Sequence, residues 1–280
     1  MITSAVIGSS LEPAATARST LPPPRAVSEM PMGRLLHAYL CEVKYEFVRT
    51  LRTIAFAVPF LIMPLGIYLL MNMLTPASAL AKQPDIAVAM FSGICVFSVI
   101  APGIFAVGCS LAIERDAGLM KFRRALPAPS GSTILAKICA AMLFSVVSLV
   151  PLTVGALLLG KLTLGAGQVA AILGVSVLGS IPFSAMGLFL GAYVSGSAAP
   201  AFGNLVFLPM MWLSGLFIPL PAAMQVQMIF WPSFHLDQLA LHAAGITEFA
   251  RFPALTSVGA LVGVTVLFGG LAITRLSRKG

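Results

Sequence analysis

Ile54-Ala-Phe-Ala-Val-Pro-Phe-Leu-Ile-Met-Pro-Leu-Gly-Ile-Tyr-Leu-Leu-Met-Asn-Met-Leu74 runs for 21 residues without a charged side chain. Coiled as an α-helix rising about 1.5 Å per residue, it spans the roughly 30 Å of hydrocarbon in a bilayer. Five more uncharged runs follow: Ile86 to Ile113, Ile138 to Leu159, Gln168 to Val194, Ala201 to Ile218 and Ala254 to Thr274. Together they predict an all-α integral membrane protein with six transmembrane helices over residues 53–280. Composition agrees, since 59% of the 280 residues are apolar, only 9% are charged, and mean hydropathy is +0.99. So few charges cannot coat a water-soluble globule. Prolines 59, 64, 102, 151, 182 and 209 fall inside the runs, where neighbouring helices can satisfy the freed carbonyls, so kinks are expected and not breaks.

Upstream of the first run the character changes twice. Residues 1–33, rich in Ala, Ser, Thr and Pro, read as a disordered cytoplasmic tail. Over residues 34–52, Leu36, Leu40, Val43, Phe47 and Leu51 recur at helical spacing among charged positions, which predicts an amphipathic interfacial helix. A plain extension of the first membrane helix is the alternative. Lys and Arg set the orientation. With cytoplasmic termini, twelve lie on the inner side near the membrane, and only Lys82, Lys161 and Arg251 lie outside. The net charge of +8 is then used for topology and lipid contact, and no aromatic-interleaved basic patch points to nucleic acid.

Several chemistries lack their residues. Cys41, Cys95, Cys109 and Cys139 stand far apart, the three histidines form no ligand spacing, and no metal site or catalytic residue is expected. None of the six runs contains Asp, Glu, Lys, Arg or His, so an ion-coupled secondary carrier is disfavoured, as is a channel. Gly155-Ala-Leu-Leu-Leu-Gly160-Lys161 fits a phosphate-loop spacing, but Leu162 stands where Ser or Thr is needed. Any ATP-hydrolysing motor therefore belongs to another polypeptide. Gly187-x-x-x-Gly191 and Gly259-x-x-x-Gly263 read as close helix contacts.

Energy then has to enter through a loop. Glu114-Arg-Asp-Ala-Gly-Leu-Met-Lys-Phe-Arg-Arg-Ala-Leu-Pro-Ala-Pro-Ser130 interleaves charge with Leu119, Met120, Phe122 and Leu126. It reads either as a short helix docked on a protein or as a solvated loop obeying the charge bias. The pattern Glu114-Arg115-x-x-Gly118-x-x-Lys121 with Pro127 resembles the E-R-E-x-G-T-L loop of ABC type-2 transporter permeases, with Asp116 and Leu119 in place of the family's Glu and Thr. The stretch Asn204 to Pro219 is similar to that family's fifth span.

The resemblance, which covers about residues 34–280, implies the membrane subunit of a bacterial ABC exporter in the cytoplasmic (inner) membrane, with both termini cytoplasmic. It implies pairing with a second permease, as a homo- or heterodimer, and with two ATPase subunits. ATP and Mg would be bound by those partners, with no cofactor on this chain. By similarity Glu114, Arg115, Gly118, Lys121, Phe122, Arg124, Leu126 and Pro127 form the ATPase-coupling loop. Asn204, Phe207, Met211, Trp212 and Ser214 are candidates for a greasy translocation path, a role that helix packing explains equally well. Between spans five and six, residues 220–253 read as a re-entrant outer hairpin of two short helices, Pro221 to Phe230 and Phe234 to Ala244, with Phe230, Trp231 and Phe234 as an outer gate. A membrane-embedded enzyme or assembly scaffold working through this hairpin is the competing reading. Drug, lipid and glycan substrates stay open.

Overall fold

The computed structural model describes residues 31–75, 84–120, 122, 131–160, 162–217, 224–246 and 251–279, and every regular element among them is helical. Helix α1 (Met32–Arg52) leads directly into α2 (Ile54–Leu74) through the single residue Thr53. Then α3 (Pro84–Ala101), a π-helical turn (Pro102–Val107) and α4 (Gly108–Asp116) run on as one rod. Helices α5 (Ser132–Leu158), α6 (Ala166–Tyr193) and α7 (Ala199–Leu213) follow, and a 3-10 turn (Val226–Phe230) precedes α8 (Pro232–Ala243) and α9 (Ala254–Lys279). The expected tail up to residue 30 lies outside the described residues.

Among the described residues, five helices are long and apolar enough to cross a membrane: Ile54–Leu74, Ile86–Asp116, Ser132–Leu158, Ala166–Tyr193 and Ala254–Arg278. The fifth run of the sequence reading falls short. Helix α7 has 15 residues, about 22 Å at 1.5 Å per residue, and the chain then turns at Ser214 and Gly215. Gly215 takes φ 76°, a left-handed conformation that ends a helix and that glycine adopts without a Cβ penalty. Where six full crossings were expected, the described residues hold five helices long and apolar enough to cross and the shorter apolar α7.

The rod of α3 and α4 is the hub. Within its apolar window 83% is buried, against 17% for Ile54–Leu74 and Ala254–Arg278, which offer most of their surface outward. Phe91, Ile94, Cys95, Phe97, Ile100 and Ile104 are fully enclosed there. Pro102 cannot donate to the carbonyl four residues back, and the rod accommodates it by widening into the π turn. That turn packs backbone against backbone on α6: a Cβ on Gly187 would lie 2.2 Å from the Gly103 carbonyl oxygen, and one on Gly191 would lie 2.7 Å from that of Gly108. The close contact expected of Gly187 and Gly191 is therefore made. Gly259 and Gly263 have nothing within 4 Å of an added Cβ and make no such contact among the described residues.

The other prolines also stay inside their helices. Pro64 leaves the Phe60 carbonyl without its helical donor, and Ser148 of α5 supplies one at 2.9 Å. Helix α2 buries a single stripe, Ala57, Pro64, Tyr68 and Asn72, spaced at one or two turns. At the far end α8 does not lie on the surface: Phe234, His235, Leu236, Gln238 and Ala240 are buried, and Leu236 fills the notch left by Gly179 of α6.

Candidate functional site

Three helices converge where α4 ends, α5 begins and α1 crosses them. Each offers polar residues one turn apart: Glu42, Glu46 and Arg49 on α1, Ser110 and Glu114 on α4, Thr133 and Lys137 on α5. Positions three or four apart share a helix face, so each set is aimed at one point. At that point Lys137 donates from Nζ to Glu46 Oε1 at 3.1 Å, to Glu114 Oε1 at 2.9 Å and to Ser110 Oγ at 3.1 Å. An ammonium has three protons, and here each acceptor can take one. Arg49 reaches over the same carboxylates, hydrogen-bonded to Glu114 and 3.8 Å from Glu46. Thr133 donates to Glu42 at 3.0 Å and closes the edge.

Glu114 and Lys137 are only 1% and 2% exposed and Glu46 is buried beside them, while Arg49 covers the group from a half-exposed position, so two anions and two cations form a compact, neutral cluster. Burial acts to lower the Arg49 pKa, but the hydrogen bond and charge of Glu114, together with the charge of Glu46, prevail and raise it above its usual range. Such a cluster adds little net stability, but removing one member strands a charge. Mechanically it makes α1, α4 and α5 one block at this end.

Arg115 faces the opposite way. Its guanidinium donates to the Gly191 and Val194 carbonyls at the end of α6, at 2.9 and 3.0 Å, and to Asp116 at 2.9 Å. Asp116 in turn accepts from the Gly196 amide at 2.7 Å. Gly118, at φ 73° and with open space around it, stops α4. Phe122 stands 73% exposed beyond it. Of the remaining loop candidates, Lys121, Arg124, Leu126 and Pro127 lie outside the described residues.

The five candidates for the path do not share one face. Phe207, Met211 and Ser214 are buried toward the hub, with Phe207 ringed by Phe97 at 5.8 Å and Phe105 at 5.5 Å between centroids. Asn204 and Trp212 point outward. None of the five lines the apolar groove of about 320 Å³ between α6, α8 and α9, walled by Leu178, Gly179, Pro182, Leu236, Leu261 and Val262. The gate candidates also part. Phe230 is exposed, Phe234 is buried, and Trp231 donates at 2.7 Å to Gln227, whose amide caps the Leu213 carbonyl at 2.7 Å. The expected hairpin helix Pro221 to Phe230 is a 3-10 turn in its described part, and residues 221–223 lie outside the described residues.

By period alone Glu46 is one of the polar positions of the amphipathic helix, and Lys137 is one of the inner-side basic residues and opens the third span. The signal that could have placed them was the recurrence of polar pairs at one-turn spacing on all three helices, although nothing local matches Glu46 to Lys137 across 91 positions. Compared with known proteins, residues 39–235 match the family model described as ABC-2 type transporter, from within α1 to within α8. Among curated proteins none matches the chain.

Proposed function

The chain belongs to the ABC-2 type transporter family, a family of membrane transport components, and from that premise we propose that it is the permease half of an ATP-driven exporter. The match over residues 39–235 carries this reading, and the buried cluster at the end of α4 supports it. Two ATPase subunits bind ATP and Mg, and this chain binds no cofactor of its own. A second permease subunit, identical or related, completes the path. The termini and the 114–130 loop face the cytoplasm of a bacterium.

In this mechanism closure of the ATPase pair moves the loop that starts at Glu114. Because Lys137 holds both Glu114 and Glu46, and Arg49 also binds Glu114, α1 and the start of α5 follow α4 as a block, and the bundle changes the side to which its cavity opens. A drug, a lipid and a glycan carried on a lipid are the substrate classes that this reading admits. ATP turnover by the complex reconstituted with its co-purifying ATPase tests this. Lys121→Glu and Gly118→Arg are expected to lower turnover at least tenfold, the first by charge alone and the second also by strain at a left-handed position. Wild-type turnover in both variants refutes the coupling role.

A further inference from the structure

The loop's first residues are tied to a second place that the coupling reading does not use. The junction between α6 and α7, Val194 to Ala198, lies against the end of α4 at two adjoining points. Arg115 holds the last α6 carbonyls, where the negative end of the helix favours a cation, and its fork meets two of them at once. Asp116 holds the Gly196 amide of the turn that starts α7. The fit beneath these bonds leaves no slack: a Cβ on Gly196 would lie 3.0 Å from Ile113 Cα, and Gly191 sits on Gly108 one turn deeper. Beyond the junction, α7 buries Ala199 at its first residue, and its buried residues Gly203, Phe207 and Met210 lie further along, Gly203 against the Phe105 ring of the hub.

We propose that Arg115 and Asp116 are positioning residues that carry the movement of the loop after α4 to the short helix α7, so that α7 shifts together with α4. This inference rests on the transporter reading above. Glu114 and its two neighbours then divide the input: Glu114 pulls α1 and α5, while Arg115 and Asp116 pull α6 and α7. The side of the bundle that bears Phe207 and Met211 is thereby driven by the same loop.

The test uses spin labels on the full ATPase-bound complex in lipid. One label replaces exposed Leu119 at the loop's start, another replaces exposed Leu205 on α7, and each is measured against a reference label at exposed Leu255 of α9, a helix that neither set of contacts pulls. Distances are compared without nucleotide and with ATP trapped. In the wild-type background both distances are expected to change by about 2 Å or more. With Asp116→Ala, whose side chain is exposed enough that folding is not at risk, the Leu119 distance still changes and the Leu205 change falls by at least half. Asp116→Asn, which keeps an acceptor for Gly196, restores most of it, and Arg115→Lys, which keeps the charge and loses the fork, gives an intermediate value. An undiminished Leu205 change in Asp116→Ala overturns the clasp alone. A Leu119 label that does not respond in the wild-type background overturns the coupling reading, and this inference with it.

Discussion

Replacing Lys137 by Met tests the cluster most directly, because Met nearly keeps the volume and removes the charge together with its three N–H donors. Glu46, Glu114 and Arg49 would then share a site with one negative charge in excess, and Glu46 would lose both of its contacts to the ammonium. Breaking a buried ion pair by deleting one member costs about 3–5 kcal/mol. Set against a total stability of about 5–15 kcal/mol, that is a large share. At about 2–4 °C per kcal/mol for a chain of this size, the apparent melting temperature in detergent should fall by roughly 6–20 °C. The assay is loss of the monodisperse chromatographic peak after heating, followed by intrinsic fluorescence. Adding Glu46→Gln to Lys137→Met leaves the neutral Arg49 and Glu114 pair and should recover at least half of the loss. A Lys137→Met variant that melts within about 2 °C of the parent, or a second substitution whose effect simply adds, refutes the closed ionic cluster.

Three further outcomes follow from the packing and the titration of single groups. Gly187→Ala drives a methyl into the Gly103 carbonyl and should lower stability by about 1–3 kcal/mol, whereas Gly259→Ala, with open space around it, should change it by less than about 0.5 kcal/mol in the same melt. Ser148→Ala strips the Phe60 carbonyl of its donor and should cost about 1–3 kcal/mol, but far less in a Pro64→Ala background, where the helix regains its own amide; equal losses in the two backgrounds would contradict the substitution of Ser148 for that amide. Burial pushes the Asp237 carboxyl on α8 up to about 7, against the opposing pull of the hydrogen bond from Ser92 at 2.7 Å. The folded chain therefore keeps a proton that the unfolded chain releases near pH 4, so this group's stabilisation is complete below about pH 4 and is lost as pH rises to about 7. Asp237→Asn should flatten that part of the profile of melting temperature against pH, and a profile unchanged by the substitution would count against it.

Hydropathy and helical period were enough to read much of this molecule from its residues alone. The first crossing coincides with α2 at both ends, the amphipathic stretch 34–52 forms the body of α1, and the prolines stay within helices as expected. These are local properties: an uncharged run has to satisfy its own backbone in hydrocarbon whatever surrounds it, so its length and composition dictate a helix. Glu114 was legible as an important residue, but the reason for its place was not. Its charge is met by Lys137, 23 positions on, and by Arg49, 65 positions back, and no periodicity spans such distances.

The same boundary separates α7 from the other runs. Ala201 to Ile218 is apolar enough for a crossing, yet Gly215 turns the chain and Gln227 of the following 3-10 turn caps the Leu213 carbonyl, a contact that only the packed structure arranges. That the second rod is the hub, that Gly187 and not Gly259 meets a neighbour, and that Arg115 faces α6 while Glu114 faces α1 are likewise products of assembly. Sequence by itself determined which segments are helices and which of them prefer hydrocarbon, because those preferences are summed residue by residue. Tertiary structure alone decided which charges neutralise one another and which helices those pairs tie together, because pairing energies exist only between groups that the fold has brought within a few ångströms.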